Sequence, residues 1–433
     1  MGTAGVVIGK FLPPHRGHRA LIERAAAGCD ELFVLAVGKT AEEGIVPLAL
    51  RAAWLTELVG SDRVHVLSRI SDAPESTTDP AIIRYWCDLI LEMTGRPCID
   101  ALFTSEAATY GDVTAAGIGA RHVLVDPDRE AVPVSGTAAR ADPMAAWPYL
   151  DPPVRAFYAR RVRVLGGEST GTTTLADLLA RRFATPWVPE WGRALSDRND
   201  SGGEPWSTAD FVAIATRQAE LEDTMARRAS RVLVCDTDPL TTGVWHAVYL
   251  GGRAREVEAI GADRRYDLTL VTGADIPWVQ DGNRNSERAR LDQQAAILGR
   301  LAETGAACHV LRGTPADRLR EATALVERLG IAAPPEGGRF AADGLAGHWR
   351  HLVASDDPAR PSRRLPGAGL HAGEVAELLD QRQTDHATLA EDLGVAPEAV
   401  LEADWYAASH VELAYAEARA DDAAIARLSV AAA

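Results

Sequence analysis

The sequence predicts an α/β protein with two parallel-sheet domains in tandem, followed by a mostly helical C-terminal region. Three observations predict this fold class. Short apolar runs alternate with helical patterns of ten or more residues, two glycine-rich loops each follow an apolar run, and the last sixty or so residues are rich in Ala, Glu and Leu. Strands that alternate with helices of this length form βαβ units on parallel sheets.

The first predicted domain covers residues 1–155. Its apolar runs are GVVIG, ELFVLAVG, RVHVL, DALFTS and RHVLVDP, and the helical patterns between them include RALIERAAAG and IRYWCDLILEM. In open parallel sheets of this kind, ligands bind at the carboxyl ends of the strands. We therefore expect the functional residues to lie in the loops that follow these runs.

The second predicted domain covers residues 160–330. Its apolar runs are RVRVLGG, RVLVCDTD, YDLTLVTG and AACHVLRG. Proline and glycine in AAPPEGGRF indicate a linker, and residues 336–433 form a third region, predicted to be helical and of unknown role. Within it, DDPARPSRRLPGAG reads as flexible, and the amphipathic helices favour docking or a homo-oligomer.

Composition and charge disfavour several function classes. The 433 residues carry a formal charge of -16 without a run of basic residues, so a nucleic acid or an anionic membrane surface is disfavoured as a partner. The five cysteines are scattered without CxxC spacing, which argues against disulfides or a zinc site. The sequence contains no leader pattern and no apolar run long enough to span a bilayer, so we expect a cytoplasmic protein.

The loop GKFLPPHRGH, residues 9–18, concentrates unusual residues behind the first predicted strand. The Pro-Pro pair prevents an immediate helix, and His15 and His18 flank Gly17, so one sharp loop can deliver both imidazoles to a helix N-terminus, where anions bind. Lys10 is one of only two lysines, with Lys39, and all the other basic residues are arginine. The loop suits the phosphates of a nucleotide; the alternative is that the histidines only cap the helix.

These residues resemble a known family. GxFxPxHxGH is the signature of the HxGH nucleotidyltransferases, and VSGTAAR, residues 134–140, is similar to the SxTxxR motif of nicotinamide-nucleotide adenylyltransferases. The resemblance implies a Rossmann-like HxGH nucleotidyltransferase domain. The implied catalytic residues are His15, His18, Lys10 and Arg140, and the implied ATP contacts are Gly9, Phe11, Gly17, Ser135 and Thr137. For the second substrate it implies Arg51 and Trp54, in an Arg-x-x-Trp pattern, and Trp86, which could stack on nicotinamide or belong to the core.

The second glycine-rich loop, LGGESTGTTTL, has the spacing of a P-loop but not its lysine. Gly166 and Gly171 stand where the motif requires them, and the Thr173 hydroxyl would bind Mg²⁺. Thr172 takes the place of the lysine, which removes a unit charge from the phosphates. Either kinase activity is weakened or lost, or another cation compensates. The predicted ATP contacts of this loop are Gly166, Glu168, Ser169, Thr170, Gly171, Thr172, Thr173 and Thr174.

Further segments resemble the ribosylnicotinamide kinase half of NadR-type bifunctional proteins. Glu190 in PEWGRAL would be the general base and Arg193 a substrate or phosphate contact. In VLVCDTDPLTT, Asp236 would bind Mg²⁺ as the Walker B carboxylate and Asp238 would contact substrate. Trp278, Asp281 and Arg284 in PWVQDGNR would contact substrate, with Arg284 or Arg288 as the compensating cation.

The resemblance implies two ATP-dependent reactions, with Mg²⁺ as cofactor. One joins nicotinamide mononucleotide (NMN) to AMP, which gives NAD and pyrophosphate, and the other phosphorylates nicotinamide riboside at its 5′-hydroxyl. Two alternatives stay open: an HxGH enzyme with another phosphate or phosphonate acceptor, and a nucleotide-sensing regulator with an inactive P-loop domain. No motif separates NMN from nicotinic acid mononucleotide. Residues 386–406 have the pattern of a helix-turn-helix, but the acidic second helix disfavours DNA binding.

Overall fold

The computed structural model describes residues 2–76, 78–105, 110–193, 205–277 and 287–334. Beyond these it describes residues 364–365, 368–372, 374–375, 378–379, 386–396, 399–400 and 403. The chain divides into two compact units, Met1–Tyr158 and Ala159–Ala433. The predicted boundary at residue 336 stays a prediction. None of the described helices is long and apolar enough to cross a membrane.

The first unit alternates strands and helices. Its strands are β1 (Ala4–Gly9), β2 (Glu31–Gly38), β3 (Val64–Ile70), β4 (Ala101–Thr104) and β5 (Arg121–Leu124). Its helices are α1 (Arg16–Ala26), α2 (Leu48–Val59), α3 (Pro80–Thr94), α4 (Tyr110–Gly117), α5 (Gly136–Ala141) and α6 (Pro152–Tyr158). Short 3₁₀ turns lie at Thr40–Glu42 and Trp147–Tyr149.

The five strands form one parallel sheet in the order β3-β2-β1-β4-β5. Strand order reverses on either side of β1, which creates a crevice at the carboxyl end of this strand. The centre of the sheet is apolar on both faces: Val7 and Val34 pack into one core cluster, and Val6 and Leu35 pack into another. The crevice is therefore supported by a rigid sheet, and it lies where the sequence places the HxGH loop.

Local sequence signals set the helix ends. At the start of α3 the Asp79 carboxylate accepts a hydrogen bond of 2.9 Å from the Ala81 N–H, and Pro80 occupies the first helical position. The helix ends at Gly95, whose φ of +64° is the left-handed conformation that glycine adopts at little cost. Between these ends Trp86 and Ile90 are buried in the sheet-facing stripe, so α3 fixes the position of Trp86.

The second unit repeats the alternation. Its strands are β6 (Arg160–Leu165), β7 (Trp187–Val188), β8 (Val232–Asp236), β9 (Leu268–Thr272) and β10 (His309–Leu311). Its helices are α7 (Thr172–Phe183), α8 (Thr208–Ala226), α9 (Pro239–Leu250), α10 (Arg255–Ala262), α11 (Glu287–Glu303) and α12 (Pro315–Glu327). The strands form a parallel sheet in the order β10-β9-β6-β8-β7.

Both sheets confirm the predicted α/β fold class. In the second sheet β6 is central, and its carboxyl end leads into the P-loop and α7. Val162 and Val164 are fully buried against Leu179 and Phe183 of α7. This packing anchors the strand and the helix on either side of the loop, so the loop between them has fixed ends.

The described pieces of the C-terminal region differ in part from the prediction. The helix α13 (His386–Leu393) begins where the helical pattern predicts and ends before Gly394, which has a φ of +66°. Within the segment predicted to be flexible, β11 (Arg364–Leu365) pairs with the antiparallel strand β12 (Leu370–His371). Gly369, at a φ of +71°, makes the tight turn between them possible, and its N–H donates to the Leu365 carbonyl at 3.2 Å.

Candidate functional site

A cleft of about 1330 Å³ lies at the carboxyl end of β1. Most of the site residues predicted for the first domain line it. They are Gly9, Lys10, Phe11, His15, Gly17, His18, Trp86, Ser135, Thr137 and Arg140. The fold thus brings the HxGH loop and the SxTxxR segment, which are more than a hundred residues apart in sequence, to one cavity. Its volume exceeds that of an ordinary single-ligand pocket.

The two histidines form a stacked pair at the start of α1. His15 is the N-cap of this helix, and its Nδ1 accepts a hydrogen bond of 3.3 Å from the His18 N–H. An accepting Nδ1 carries no proton, so the proton of the neutral ring is on Nε2. The ring centroids of the two histidines are 3.7 Å apart. The buried His15 Nε2 and His18 Nδ1 have no hydrogen-bond partner among the described residues, which leaves the His15 N–H available to a ligand.

Burial keeps both imidazoles neutral. Loss of solvation, reinforced by the positive charge of Arg129, lowers the pKa of His15 to about 4. Burial, together with His15 and Arg129, lowers the pKa of His18 well below its usual value. At neutral pH the pair therefore offers a neutral N–H donor, and Arg129 supplies positive charge beside it.

Gly17 is required by the close approach of the backbone to His15. A Cβ atom at position 17 would lie 3.1 Å from the His15 Cε1 and Nδ1 atoms. On the other side, the ring of Phe11 meets that of His18 edge to face at 5.0 Å. Phe11 itself has a φ of +45°, a strained conformation for a non-glycine residue. The loop is shaped around the histidine rings, as the motif predicts.

Arg140 links the two motifs. Its Nη1 donates to the Leu12 carbonyl at 2.6 Å, and its Nη2 donates to the Thr137 hydroxyl at 3.1 Å. Ser135 is the N-cap of α5, with its hydroxyl accepting from the Ala138 N–H at 3.1 Å. The guanidinium of Arg140 is thereby held against the HxGH loop at the edge of the cleft.

The three predicted contacts for the second substrate have different places. Arg51 is fully buried and its Nη1 donates to the Lys10 carbonyl at 2.7 Å. Trp54 is also buried, with its ring edge to face with Phe157 at 5.6 Å. Both support the wall of the cleft from behind, whereas Trp86 lines it. The Trp86 Nε1 donates to the Pro74 carbonyl at 3.0 Å, which fixes the plane of the ring.

Several charged residues of the cleft were not predicted as site residues, among them Lys39, Glu75 and Arg129. Lys39 and Glu75 line its wall, with the Lys39 Nζ 3.4 Å from Glu75 Oε1. Arg129 lines it as well and is the cation that acts on both histidines. The scarcity of lysine could have pointed to Lys39. No sequence signal marks Glu75, because its part in the cleft depends on the fold of the β3–α3 loop.

The P-loop of the second unit has the backbone conformation that its spacing predicts. Ser169 and Gly171 have φ values of +61° and +87°. The Thr170 hydroxyl donates to the Gly167 carbonyl at 2.7 Å, and a Cβ atom at Gly166 would lie 2.3 Å from that hydroxyl oxygen. Gly166 is thus needed because the Thr170 and Thr272 hydroxyls approach it so closely. The N–H groups of Gly167 and Glu168 donate to Gln294 and Gln293 of α11 at 2.8 and 3.0 Å.

The residues predicted to bind Mg²⁺ are adjacent and have the right donor atoms. Thr173, in the first turn of α7, donates its hydroxyl to Asp236 Oδ2 at 2.6 Å. The buried Asp236 Oδ1 has no hydrogen-bond partner in the described part of the chain. Burial raises the pKa of Asp236 to about 6, against the opposing effects of Thr173, Thr172 and Arg193. A hydroxyl and a carboxylate are hard oxygen donors, so this pair fits Mg²⁺.

Three described arginines near the P-loop, Arg288, Arg290 and Arg318, are engaged by other groups of the protein. Arg288 is exposed, and its Nε bonds Asp292 at 3.0 Å. Arg290 donates to the carbonyls of Ile276 and Ala274, and Arg318 donates to those of Thr170, Gly273 and Gly313. These two guanidinium groups bind backbone behind the loop. Arg284, the other predicted candidate, lies outside the described residues, as do Trp278 and Asp281.

The remaining predicted kinase residues lie around Asp236. Arg193 is exposed and close enough to lower the pKa of that carboxyl. Glu190 is half-buried directly before Trp191, whose N–H donates to the Gln218 side chain at 3.0 Å. Asp238 is fully buried: it caps α9, accepting from the Thr241 N–H at 2.7 Å, and forms an ion pair with Arg163. Thr174 is exposed in the first turn of α7.

Comparisons with known proteins find one family model in each of the two units. Residues 6–142 match the cytidylyltransferase-like family model and residues 161–318 match an AAA domain model. The trifunctional NAD biosynthesis/regulator protein NadR of Escherichia coli K12 is 32% identical over 301 residues, which covers 65% of this chain and 72% of the relative. NadR of Salmonella typhimurium LT2 is 31% identical over 297 residues, covering 65% and 71%.

Solved structures support the fold. The crystal structure of a NadR protein in complex with NR has a TM-score of 0.63 at 22% identity, covering 78% of this chain and 98% of the other. A NadR protein in complex with NAD and AMP-PNP also gives 0.63, at 21% identity, with 79% and 99% covered. The resemblance inferred from the motifs is thereby confirmed. The chain belongs to the NadR family of NAD biosynthesis proteins.

Proposed function

We propose that the first unit transfers AMP from ATP to NMN, which gives NAD and pyrophosphate. The observation that carries this proposal is the convergence of the free His15 Nε2–H and the Arg140 guanidinium on one cleft. The cleft has room for two nucleotides. The family of the chain and the structure of a NadR protein with NAD and AMP-PNP support these substrates.

In the proposed reaction the 5′-phosphate of NMN attacks the α-phosphorus of ATP in line, and the bond to pyrophosphate breaks. Negative charge grows on the oxygens around that phosphorus as the bond forms. The His15 Nε2–H donates to one of these oxygens, and Arg129 adds positive charge beside it. Because the imidazole is neutral and fixed as the N-cap of α1, it needs no proton transfer and little reorganisation to do this.

The leaving pyrophosphate is held by the other motif and by Lys10. Arg140 reaches the cleft with a fixed guanidinium, and the Ser135 and Thr137 hydroxyls lie on the same wall. Arg51 acts on this step indirectly, since its hydrogen bond to the Lys10 carbonyl fixes the backbone from which Lys10 extends. Trp86 would stack on the nicotinamide ring of the acceptor.

For the second unit we propose phosphorylation of nicotinamide riboside by ATP at a reduced rate. The P-loop backbone would hold the phosphates of ATP, and Glu190 would accept the proton of the 5′-hydroxyl. When bound to Thr173 and Asp236, Mg²⁺ would neutralise charge on the transferred phosphoryl group. Thr172 can donate one hydrogen bond but brings no positive charge, which is the reason for the reduced rate.

We place both reactions in the cytoplasm, where ATP and the nucleotides are available. The five cysteines are free thiols, which suits a reducing compartment.

In the described residues, no group of three or more His, Cys, Asp or Glu side chains could hold a metal ion. The cofactor we propose is Mg²⁺, bound largely through the phosphates of the substrates. A homo-oligomer stays a prediction.

One reaction tests both activities. The full chain is incubated with isotope-labelled nicotinamide riboside, unlabelled NMN, ATP and Mg²⁺, and the products are read by mass spectrometry. Labelled NAD would show that both units turn over. Unlabelled NAD alone would support the first activity and leave the second unit to a sensing role, and no NAD would overturn the proposal in favour of another acceptor.

A further inference from the structure

Both lysines of the chain meet at one carboxylate oxygen in the first cleft. Lys10 Nζ lies 3.0 Å and Lys39 Nζ lies 3.4 Å from Glu75 Oε1. Every other basic residue of the chain is arginine. Neither the HxGH motif nor the SxTxxR motif includes Lys39 or Glu75, so this corner of the cleft needs an explanation of its own.

The two ammonium groups extend from a fixed backbone. Glu42 accepts a hydrogen bond of 3.1 Å from the Lys39 N–H through Oε2, and its Oε1 is 3.4 Å from the Lys10 Nζ. The buried Arg51 donates to the Lys10 carbonyl at 2.7 Å. Glu42 and Arg51 therefore hold the ends of β1 and β2 together, and they keep both lysines at the same edge of the cleft.

Glu75 has the most exposed side chain of the three, at 54% against 45% for Lys10 and 34% for Lys39. It belongs to the loop between β3 and α3. Exposed ion pairs contribute little free energy, because water solvates both partners well. The corner therefore combines two cations on a fixed backbone with an exposed anion that a more highly charged group can displace.

This corner lies on one side of the sheet centre, and the SxTxxR segment lies on the other. Lys39 follows β2 and Glu75 follows β3, whereas Ser135 and Arg140 follow β5, and β1 is between the two groups in the sheet. Trp86 is on the Lys39 side, since its Nε1 donates to the carbonyl of Pro74, the residue before Glu75. With the ATP triphosphate at Arg140, the acceptor enters from the Lys39 side.

We propose that Lys39 binds the phosphate of the acceptor nucleotide, and that Glu75 holds the place of this phosphate in the free protein. A phosphate monoester carries nearly two negative charges at neutral pH and can accept from the Lys39 ammonium in place of Glu75. It exchanges with the single charge of Glu75, which turns out into solvent. This inference rests on the function proposed above, and it adds a binding residue to it.

The exchange explains how the first unit would distinguish a nucleotide from a riboside. A nucleoside without phosphate cannot displace Glu75, because it brings no negative charge to Lys39. The two ammonium groups would then stay paired with Glu75. Selection of the phosphorylated acceptor thus rests on Lys39, while Trp86 would recognise the ring.

Steady-state kinetics of the full chain give the first test. We expect Lys39→Met to raise the KM for NMN about tenfold, because one charge-assisted hydrogen bond is lost. The KM for ATP should change less than about twofold. Lys39→Arg keeps the charge and should restore most of the affinity. Arg96→Met removes a cation that pairs with Glu31, at the opposite end of β2, and should leave both constants unchanged.

The scarcity of lysine allows a second test that needs no turnover. Protein labelled with ¹³C at lysine gives side-chain signals from Lys10 and Lys39 only, and Lys39→Arg assigns them. We expect NMN to shift the Lys39 signal and nicotinamide riboside to leave it in place. Lysine is absent from the second unit, so binding of the riboside there does not obscure the result.

The outcomes separate this inference from the function on which it rests. If wild-type protein makes NAD but NMN leaves the Lys39 signal in place, Lys39 does not bind the acceptor phosphate and the inference fails alone. An equal rise of both KM values in Lys39→Met would also overturn it, since a general loss of structure has that effect. If the wild-type protein makes no NAD and neither lysine signal responds to NMN, both proposals fail.

Discussion

The two loops that follow the central strands, β1 and β6, have the same position in their sheets but differ in their charged groups. The first loop is surrounded by cations that face a cleft: Lys10, Arg129 and Arg140. The second has the backbone of a P-loop, but Thr172 stands in place of its lysine and Arg318 binds the loop from behind. Backbone geometry and charge are thus separate requirements of a phosphate site, and the residues of the second loop themselves supply only the first of them.

The largest expected effect follows from the loss of a histidine in the first loop. His15→Ala removes the N–H donor that the N-cap of α1 supplies to the cleft, and we expect the rate of NAD formation to fall about 10²–10³-fold. Phosphorylation of nicotinamide riboside should not change, because it occurs in the other unit. His309→Ala, at an exposed histidine of β10, is the control. A loss of both activities would contradict the assignment of separate sites.

The second effect follows from restoring a positive charge in the P-loop. Thr172→Lys restores the missing charge, and we expect the rate of riboside phosphorylation to rise about tenfold, since a cation at the β- and γ-phosphates stabilises the transition state. Thr304→Lys adds the same charge at an exposed threonine directly after α11 and serves as the matched control. An unchanged rate in Thr172→Lys would mean that another group already supplies the charge.

A smaller effect concerns the shape of the HxGH loop. Gly17→Ala places a methyl group 3.1 Å from two atoms of the His15 ring, so the ring has to move by a few tenths of an ångström. We expect NAD formation to slow severalfold, up to about tenfold, because donor position determines transition-state stabilisation. Gly44→Ala, where a Cβ atom meets nothing within 4 Å, should have no effect. Equal rates in the two variants would show that the loop adapts without cost.

The smallest effect is on stability as a function of pH. In the unfolded chain His15 takes up a proton near pH 6.5, whereas in the folded protein its pKa is about 4. The contribution of the neutral, buried ring to the free energy of unfolding is therefore complete above pH 6.5 and decreases as the pH falls toward 4, by roughly 1–3 kcal/mol. Thermal melting of the wild type and of His15→Asn measures it. If the wild type instead became more stable relative to His15→Asn as the pH falls, the assignment would be contradicted.

Much of the fold follows from the sequence because local patterns decide it. The run ELFVLAVG forms β2 with the predicted ends, and the run DALFTS loses only its first and last residues in β4. α1 begins three residues before the pattern RALIERAAAG, because His15 and not the apolar stripe sets its N-terminus. The pair β11 and β12 was not predicted, since each strand has two residues and depends on a turn at Gly369.

The residues of the candidate site likewise fall into those that a short motif predicts and those that only the fold brings together. His15, Gly17 and Thr173 are predictable because a short motif contains both their chemistry and their position. Arg51 and Asp238 match family patterns, but in the fold they bind the backbone or cap a helix. Lys39 and Glu75 come together from the ends of β2 and β3, and such a contact is set by the sheet order, which single-sequence patterns do not report.

The most direct test of the difference between the two loops is the ratio of the two turnover rates in one preparation of wild-type protein. NAD formation from NMN and NMN formation from nicotinamide riboside are each measured at saturating ATP and Mg²⁺. The turnover rate at a loop surrounded by cations should exceed the rate at a loop that lacks its lysine. We therefore predict that adenylyl transfer is at least about tenfold faster than riboside phosphorylation. Riboside phosphorylation as fast as adenylyl transfer would contradict the account, because the P-loop would then function fully without its lysine.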